Sequence, residues 1–415
     1  MSNLLFKTTS SWITFMLVAG FFLSACEKDD NKPAVTVQEK MNAAVDSVRL
    51  ALEADIGKTV PTLNVFIQTP EGTWFSSSAG QGYQPITADT YFRFASNTKT
   101  YTSTAILNMQ EDGWLSIDDL ITDTIPGSNM PYVPASAAWN IPYKSEITIK
   151  MLLQHSAGVY DVDNDSVPGC NGDSYTSYMM DLDQNHQFTA EEMVSQAAVH
   201  QLSYFMPGTG HHYSNTGFAI LSEIAGRVYS FHAGCPKHLT DYLYDKVYGP
   251  ETPIPIKAHF PHLAADQDLP APYSCGHELY ETGNIREFCS FNMSAQVGEG
   301  NGYATMRDLN TFIRTLIKGQ NVLTPASVQL MTTEISPGSA DYFLGCLFAP
   351  NLGYGHNGLR IGNISLMVYD PATDVSVVAY VSARDMQDGI RTIIAVYDAA
   401  YATRSALGLP GKPQK

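Results

Sequence analysis

Apolar residues recur at helical spacing through VQEKMNAAVDSVRLALEADIG (37–57), and the closing glycine marks where a right-handed helix can stop. TLNVFIQT (62–69) and GTWFSSS (72–78) flank a Pro-Glu-Gly turn and read as a hairpin. From Ser96 to Gly113 the spacing is helical again, with Ala105, Ile106, Met109 and Trp114 turned toward a core. Between about 117 and 300 the pattern loosens: Pro, Gly, Asp and Tyr are frequent, and the clear periodic pieces are helices such as EEMVSQAAVHQL and FAILSEIAGRVYS. After Gly302 an amphipathic helix, MRDLNTFIRTLIKG, precedes three apolar runs, FLGCLFA, ISLMVYD and VSVVAYVSA, that read as neighbouring antiparallel strands. A last helix is expected over roughly 386–406. The predicted fold class is therefore α/β, an antiparallel sheet flanked by helices. One lobe comes from 37–116 and 302–405, and a mostly helical inserted lobe from 117–301.

Composition narrows the class. A 415-residue chain with a 44% hydrophobic fraction can bury a large core and is neither disordered nor a polytopic membrane protein. Its formal net charge of −17, with no long basic run, argues against nucleic acid as a partner, which needs clustered Lys and Arg. The N-terminus stands apart. Lys7 precedes WITFMLVAGFFL (12–23), which is apolar yet too short to span a bilayer, and then Leu23-Ser24-Ala25-Cys26. This resembles a bacterial lipoprotein signal. The resemblance implies a signal peptide over 1–25, a lipid on the Cys26 thiol, a polar tether over 26–36, and a membrane-anchored life in the cell envelope, periplasmic or surface-exposed. Lys28-Asp29-Asp30 resembles the acidic export signals of some surface lipoproteins. Five further cysteines remain: Cys170, Cys235, Cys275, Cys289 and Cys346. Their odd number leaves at least one free thiol. Cys275 and Cys289 can bridge across a loop, Cys346 reads as a buried strand residue, and no C-x-x-C spacing points to zinc or redox chemistry.

FRFASNTKTYTS (92–103) places Ser96 and Lys99 one helical turn apart, directly after a short apolar run. A serine at the first turn of a helix sits where backbone N–H groups favour negative charge, and its hydroxyl is a poor nucleophile until a base takes its proton. Lys99, facing an apolar lobe, would have a lowered pKa and serve as that base. A solvated helix start carries the same pair as easily. In PGTGHHYSNTGFAIL (207–221), Tyr213-Ser214-Asn215 lies on a turn before a helix. A tyrosine beside a cation can shuttle protons, and an asparagine offers a donor and an acceptor to a peptide-like substrate; a core tyrosine with a capping asparagine is the bland alternative. In GYGHNGLRIGNISL (352–365), His356-Asn357-Gly358 stands just before an apolar strand, where glycine admits a substrate backbone. The N–H groups of Leu359 and Ser96 would then bind an oxyanion.

Taken in order, these segments resemble the penicillin-recognising serine hydrolases, in the branch of class C β-lactamases, D-Ala-D-Ala carboxypeptidases, D-aminopeptidases and related esterases. The likeness runs from about 37 to 405 and includes TADTYFRFASNTKTYTSTAILNMQEDGWLSIDD, ITIKMLLQHSAGVYD, FMPGTGHHYSNTGFAIL and YATMRDLNTFIRTLIKG. It implies a β-lactamase/transpeptidase-like fold and a cofactor-free acyl-enzyme mechanism on a small peptide, amide or ester. Ser96 would be the acylated nucleophile, Lys99 its base, Tyr213 the proton shuttle and Asn215 a substrate-amide contact. His356 would stand where β-lactamases carry the lysine of K-T-G, with Asn357 in place of the threonine. That departure lowers the expectation of β-lactam hydrolysis and leaves carboxypeptidase, aminopeptidase and esterase chemistry open, beside a non-catalytic penicillin-binding sensor.

Other motifs carry bland readings. His155 in LLQHSAG reads as holding a loop, and Arg360 as an exposed strand arginine, with the alternative that it supplies the positive charge the absent lysine would have given. Asp161, Asp163 and Asp165 in DVDNDS open like a calcium loop but lack its glycine and closing glutamate. No G-x-S-x-G, H-E-x-x-H or Walker pattern occurs, so no metal is expected.

Overall fold

A computed structural model describes residues 35–281 and 283–414. The segments expected to be a signal peptide and most of a tether, with Cys26, lie outside the described residues. Among those described, no helix is long and apolar enough to cross a membrane.

The chain opens with α1 (Val37–Ile56), started by a Thr36–Glu39 capping box and stopped by Gly57 in the left-handed region at φ 67°. The hairpin β1 (Thr62–Thr69) and β2 (Gly72–Ala79) follows, then β3 (Tyr91–Arg93) and α2 (Thr98–Glu111). The middle third supplies α3 (Ile149–Leu153), α4 (Tyr175–Leu182), α5 (Ala190–Val199), α6 (Asn215–Ala233) and α7 (Leu239–Tyr242). It also carries the short strands β4 (Ala258–His259), β5 (Gly276–Leu279) and β6 (Ile285–Phe288). The last third runs β7 (Tyr303–Thr305), α8 (Met306–Ile317), α9 (Pro325–Thr333), β8 (Leu347–Ala349) and β9 (Gly353–Arg360). It closes with β10 (Asn363–Asp370), β11 (Val375–Val381), β12 (Arg384–Asp385) and α10 (Gly389–Ala406).

The main sheet is antiparallel in the order β2-β1-β11-β10-β9-β8. Its central strands are buried on both faces, so they read as continuous apolar runs, and alternate residues serve different cores. Val65, Ile67, Leu366, Val377 and Ala379 face Met41, Val45, Val396 and Ala399 of α1 and α10. Phe66, Met367, Val378 and Tyr380 face the other way, into a core shared with Tyr101 of α2, Phe312 of α8 and the helices of the middle third. Tyr101 and Phe312 stack with ring centroids 3.6 Å apart. Two small sheets, β3-β7-β4 and β12-β5-β6, flank this body.

The structure departs from the sequence pattern in three places. GYGHNGLR is itself a full strand, β9, between β8 and β10, so His356-Asn357-Gly358 lies within the sheet and not ahead of it. Its three glycines hid it, because β-propensity is read from branched and aromatic side chains. Cys346 is fully buried but just precedes β8. Ser96 lies on a short 3₁₀ turn (Ala95–Asn97) leading into α2, one step outside the α-helix proper. Cys275 and Cys289 form a disulfide that closes the base of the β5–β6 hairpin; Cys170, Cys235 and Cys346 are free thiols.

Candidate active site

From Phe92 to Leu107 every residue is buried except Ser96, which is partly open to a pocket of about 210 Å³. The preceding residue, Ala95, has φ 51°, an unfavourable left-handed conformation for a side chain with a Cβ, held by what surrounds it. Asn97 fixes the turn: its side-chain amide donates to Phe94 O at 2.9 Å and to Ser365 Oγ at 2.8 Å, tying it to β10. In the polar, buried first half of α2 the threonine hydroxyls find carbonyls. Thr100 donates to Gly345 O (3.0 Å) and Thr102 to Gly298 O (2.6 Å).

Lys99 is fully buried behind Ser96. Its ammonium donates to Ser96 Oγ at 3.3 Å, Asn215 Oδ1 at 2.7 Å, and Glu299 through both the backbone carbonyl (2.9 Å) and Oε2 (3.3 Å). It lies 4.7 Å from the centre of the Tyr213 ring. Burial works against its charge, but Tyr213 and Glu299 outweigh burial and hold its pKa above the ordinary lysine range. The expectation of a lowered lysine pKa is therefore corrected: the Tyr213 phenol, together with a Glu299 carboxyl that the sequence does not place nearby, favours the cation. Burial raises the Tyr213 phenol above its usual pKa, with the Lys99 ammonium and the Ser96 hydroxyl drawing it partly back. Burial likewise raises Glu299, to about 8 against the pull of Lys99, and its buried Oε1 has no partner among the described residues. Glu299 lines the pocket with Ser96, Tyr213 and Asn215.

Asn215, the first residue of α6, lines the pocket with its side-chain amide held at both ends. Its Oδ1 holds Lys99 and its Nδ2 donates to Asp163 Oδ2 at 2.8 Å. Asn215 is thus a strut between the lysine and a buried aspartate, and it also lines the pocket in which a substrate amide is expected to meet it. Asp163 in turn takes the Arg360 guanidinium at 3.1 and 3.4 Å and Gln296 at 3.4 Å. Burial alone would raise the Asp163 pKa; Arg360 and these hydrogen bonds bring it below the usual carboxylate range. Asp161 accepts from the Asn215 backbone N–H (3.0 Å) and the Asn164 amide (2.8 Å), and Asp165 from the Tyr204 hydroxyl. The calcium-like loop is consequently a wall of the site, its carboxylates already committed to protein donors. Arg360 is not an exposed strand arginine but the cation of a buried pair.

On β9 the four expected residues divide. Asn357 and Leu359 line the pocket, and the Asn357 amide makes no hydrogen bond among the described residues. Gly358 makes room for this chain and not for a substrate, since a Cβ there would come within 2.1 Å of Phe94 O. His356 is buried with both ring nitrogens engaged. The Ser214 N–H donates to His155 Nδ1 (3.1 Å), which leaves His155 Nε2–H to donate to the Tyr342 hydroxyl (3.0 Å). Tyr342 then donates to His356 Nε2 (3.1 Å), and His356 Nδ1 donates to Asn357 O (2.5 Å). Burial, then the Lys99 charge, lowers the His356 pKa to about 3, so the ring is neutral. His155 does hold a loop, as its segment suggested, and also anchors this relay.

Sequence reasoning missed Glu299, Asp163 and Tyr342. A lone glutamate in GEGNG carries no motif signal, and Tyr342 lies far along the chain from His155, one of the two histidines it joins. Asp163 was visible only as part of a metal-like run.

The profile of the family described as Beta-lactamase matches residues 49–401. Among solved structures, the chain resembles the D-stereospecific amidohydrolase from Streptomyces sp. at 23% identity and TM-score 0.65, covering 86% of this chain and 98% of that one. It also resembles the D-amino acid amidase from Ochrobactrum anthropi SV3 complexed with L-phenylalanine amide, at 21% identity and TM-score 0.67, covering 89% and 98%. These likenesses establish the fold. Protein flp of Staphylococcus aureus (strain NCTC 8325 / PS 47) is 26% identical over 196 residues, 45% of this chain and 34% of its own length. The chain spans about a third of the length of the curated relatives it matches.

Proposed function

The chain belongs to the Beta-lactamase family, and from that premise we propose that it is a serine hydrolase working through an acyl-enzyme on Ser96. The observation that carries this reading is one pocket walled by Ser96, Tyr213, Asn215, Asn357 and Leu359, three remote segments gathered around the buried Lys99 ammonium. Ser96 Oγ attacks a carbonyl carbon, and the N–H groups of Ser96 and Leu359 receive the oxyanion. The serine proton goes to Lys99, which must first give one up. Glu299, titrating near neutrality and 3.3 Å away, is the acceptor on hand. Tyr213, beside Lys99, passes a proton to the leaving amine or alkoxide as its bond to the carbonyl carbon breaks. Water then repeats the sequence and releases the acid.

D-amino-acid amides and peptides are the proposed substrates, with esters second; the amidase-like fold supports the first. A neutral His356 in place of a cationic lysine offers no charge to a β-lactam carboxylate, which favours amide or ester chemistry. Turnover of D- and L-amino acid p-nitroanilides beside p-nitrophenyl esters tests the reading. D-selective amide cleavage is expected. Ester cleavage alone would make the protein a carboxylesterase, and a stable adduct without turnover would make it a penicillin-binding sensor.

Leu23-Ser24-Ala25-Cys26 supports a lipid anchor on Cys26 and a place in the bacterial envelope. Metabolic labelling with a palmitate analogue, lost in Cys26→Ser, is the test.

A further inference from the structure

A cavity of about 510 Å³ opens between α5, α6, the start of α7 and the segments around His262 and Ser294. It shares no residue with the catalytic pocket. One segment separates the two spaces. Ser294, Ala295 and Val297 line the cavity, while Gln296 and Glu299 turn the other way, to Asp163 and Lys99. Much of the cavity wall is apolar: Phe188, Met193 and Leu239 are buried there, and Leu263, which lines it while 52% exposed, marks its opening. An apolar space of this size with a few polar groups has the make-up of a small-molecule site.

Glu223 of α6 is the one carboxylate on that wall among the described residues. It accepts no hydrogen bond from them, and the cation within 4.0 Å, Arg227 Nη1, stands at 3.9 Å, beyond hydrogen-bond reach. The cations of the wall are engaged elsewhere. Arg227 Nε and Nη2 both donate to Pro131 O, at 3.2 and 3.1 Å. Lys237 lies 3.5 Å from Asp245 Oδ2 and over the Tyr229 ring. His238 and His262 stack with centroids 4.7 Å apart, and burial lowers the His262 pKa, which favours its neutral ring. Burial raises the Glu223 pKa, against the pull of Arg227. A half-buried carboxylate without donors is costly, yet this one stays within reach of a ligand, its side chain 31% exposed. The wall therefore lacks a donor facing Glu223. The group that brings donors and the opposite charge together is an ammonium.

We propose that this cavity binds a small amphipathic amine, its ammonium on Glu223 and its apolar body against Phe188, Met193 and Leu239. The inference is independent of the acyl-enzyme reading and concerns a different face of α6.

Calorimetry on the wild-type protein tests it with 4-phenylbutylamine, and with 4-phenylbutyrate and 4-phenylbutanol as the anionic and neutral matches. The amine should bind saturably, one per chain, at least about tenfold more tightly than either match. Methylamine, which keeps the charge and lacks the body, should bind at least about tenfold more weakly than 4-phenylbutylamine. Glu223→Gln keeps the shape of the side chain and removes its charge, and it should erase the advantage of the amine over the alcohol. Equal binding of the three matched probes, preference for the anion, or an amine advantage that survives Glu223→Gln overturns the site. An amine held in the catalytic pocket instead would be untouched by Glu223→Gln and so gives the overturning result. Melting curves confirm that the variant is folded. Glu223 is partly exposed on the helix surface, and Glu223→Lys there is the second variant: it should abolish amine binding and spare that of the alcohol. None of these measurements uses turnover, so the site stands or falls apart from the hydrolase reading.

Discussion

The Lys99 ammonium lies 2.7 Å from the side-chain oxygen of Asn215 and 3.3 Å from the hydroxyl of Ser96. Its tightest partner is therefore the scaffold and not the nucleophile. Behind Asn215 stand Asp163 and Arg360, so the position of the lysine is set through a chain of groups other than the nucleophile.

Asn215→Ala removes that strut and leaves both Lys99 and Asp163 short of a partner. It should cost about 1–3 kcal/mol of stability, the penalty for a buried polar group left unpaired. It should also lower kcat/KM by at least about a hundredfold while KM changes little, because the lysine and not the substrate is released. Thermal unfolding and steady-state kinetics check the two parts separately.

Glu299→Gln separates proton holding from packing. The carboxyl is raised to about 8 in the folded protein, so a rate that needs it ionised climbs as pH rises through that value. The glutamine variant should be slower and lack that limb of the pH–rate profile. Stability runs the other way. A carboxyl whose folded pKa is raised contributes fully below its unfolded value of 4.5 and loses that contribution as pH rises through about 8. Melting temperatures should accordingly fall less steeply between these values in Glu299→Gln than in the parent.

Arg360→Ala strands Asp163 as a buried charge. Breaking one partner of such a pair typically costs about 3–5 kcal/mol. Asp163 has a depressed pKa in the folded protein, so its stabilisation is present above the ordinary carboxylate range and lost as pH falls. Without Arg360 burial lifts the Asp163 pKa, so that acid-side loss should shrink and stability should fall less steeply with decreasing pH than in the parent, visible in denaturant titrations across the acid range.

Much of this architecture is legible in the sequence, because apolar runs and periodic helices report burial directly. The strands β1, β10 and β11 are examples, as are the two helices that cover them. Where the reading failed, the physics differed. β9 owes its conformation to close packing, Gly358 against Phe94 O and Gly355 against Met367 O, and glycine gives no apolar signal. The buried face of α2 is polar, and there Thr100 and Thr102 meet carbonyls from loops about two hundred residues away or more. Glu299, Asp163 and Tyr342 act through partners remote along the chain, which local spacing cannot report. Gly358→Ala turns the first point into a test: the added methyl should push β9 off the Ser96 turn, cost about 1–3 kcal/mol, and reduce turnover beyond what the lost stability explains.

The most direct measurement is intact-protein mass spectrometry with peptide mapping after brief exposure to a fluorophosphonate or a slowly deacylating D-amino acid ester. A single adduct on the peptide bearing Ser96, absent in a folded Ser96→Ala protein and slowed at least about a thousandfold in Lys99→Ala, is the predicted result. An adduct on another residue, or equal labelling of the Ser96→Ala protein, would contradict the account.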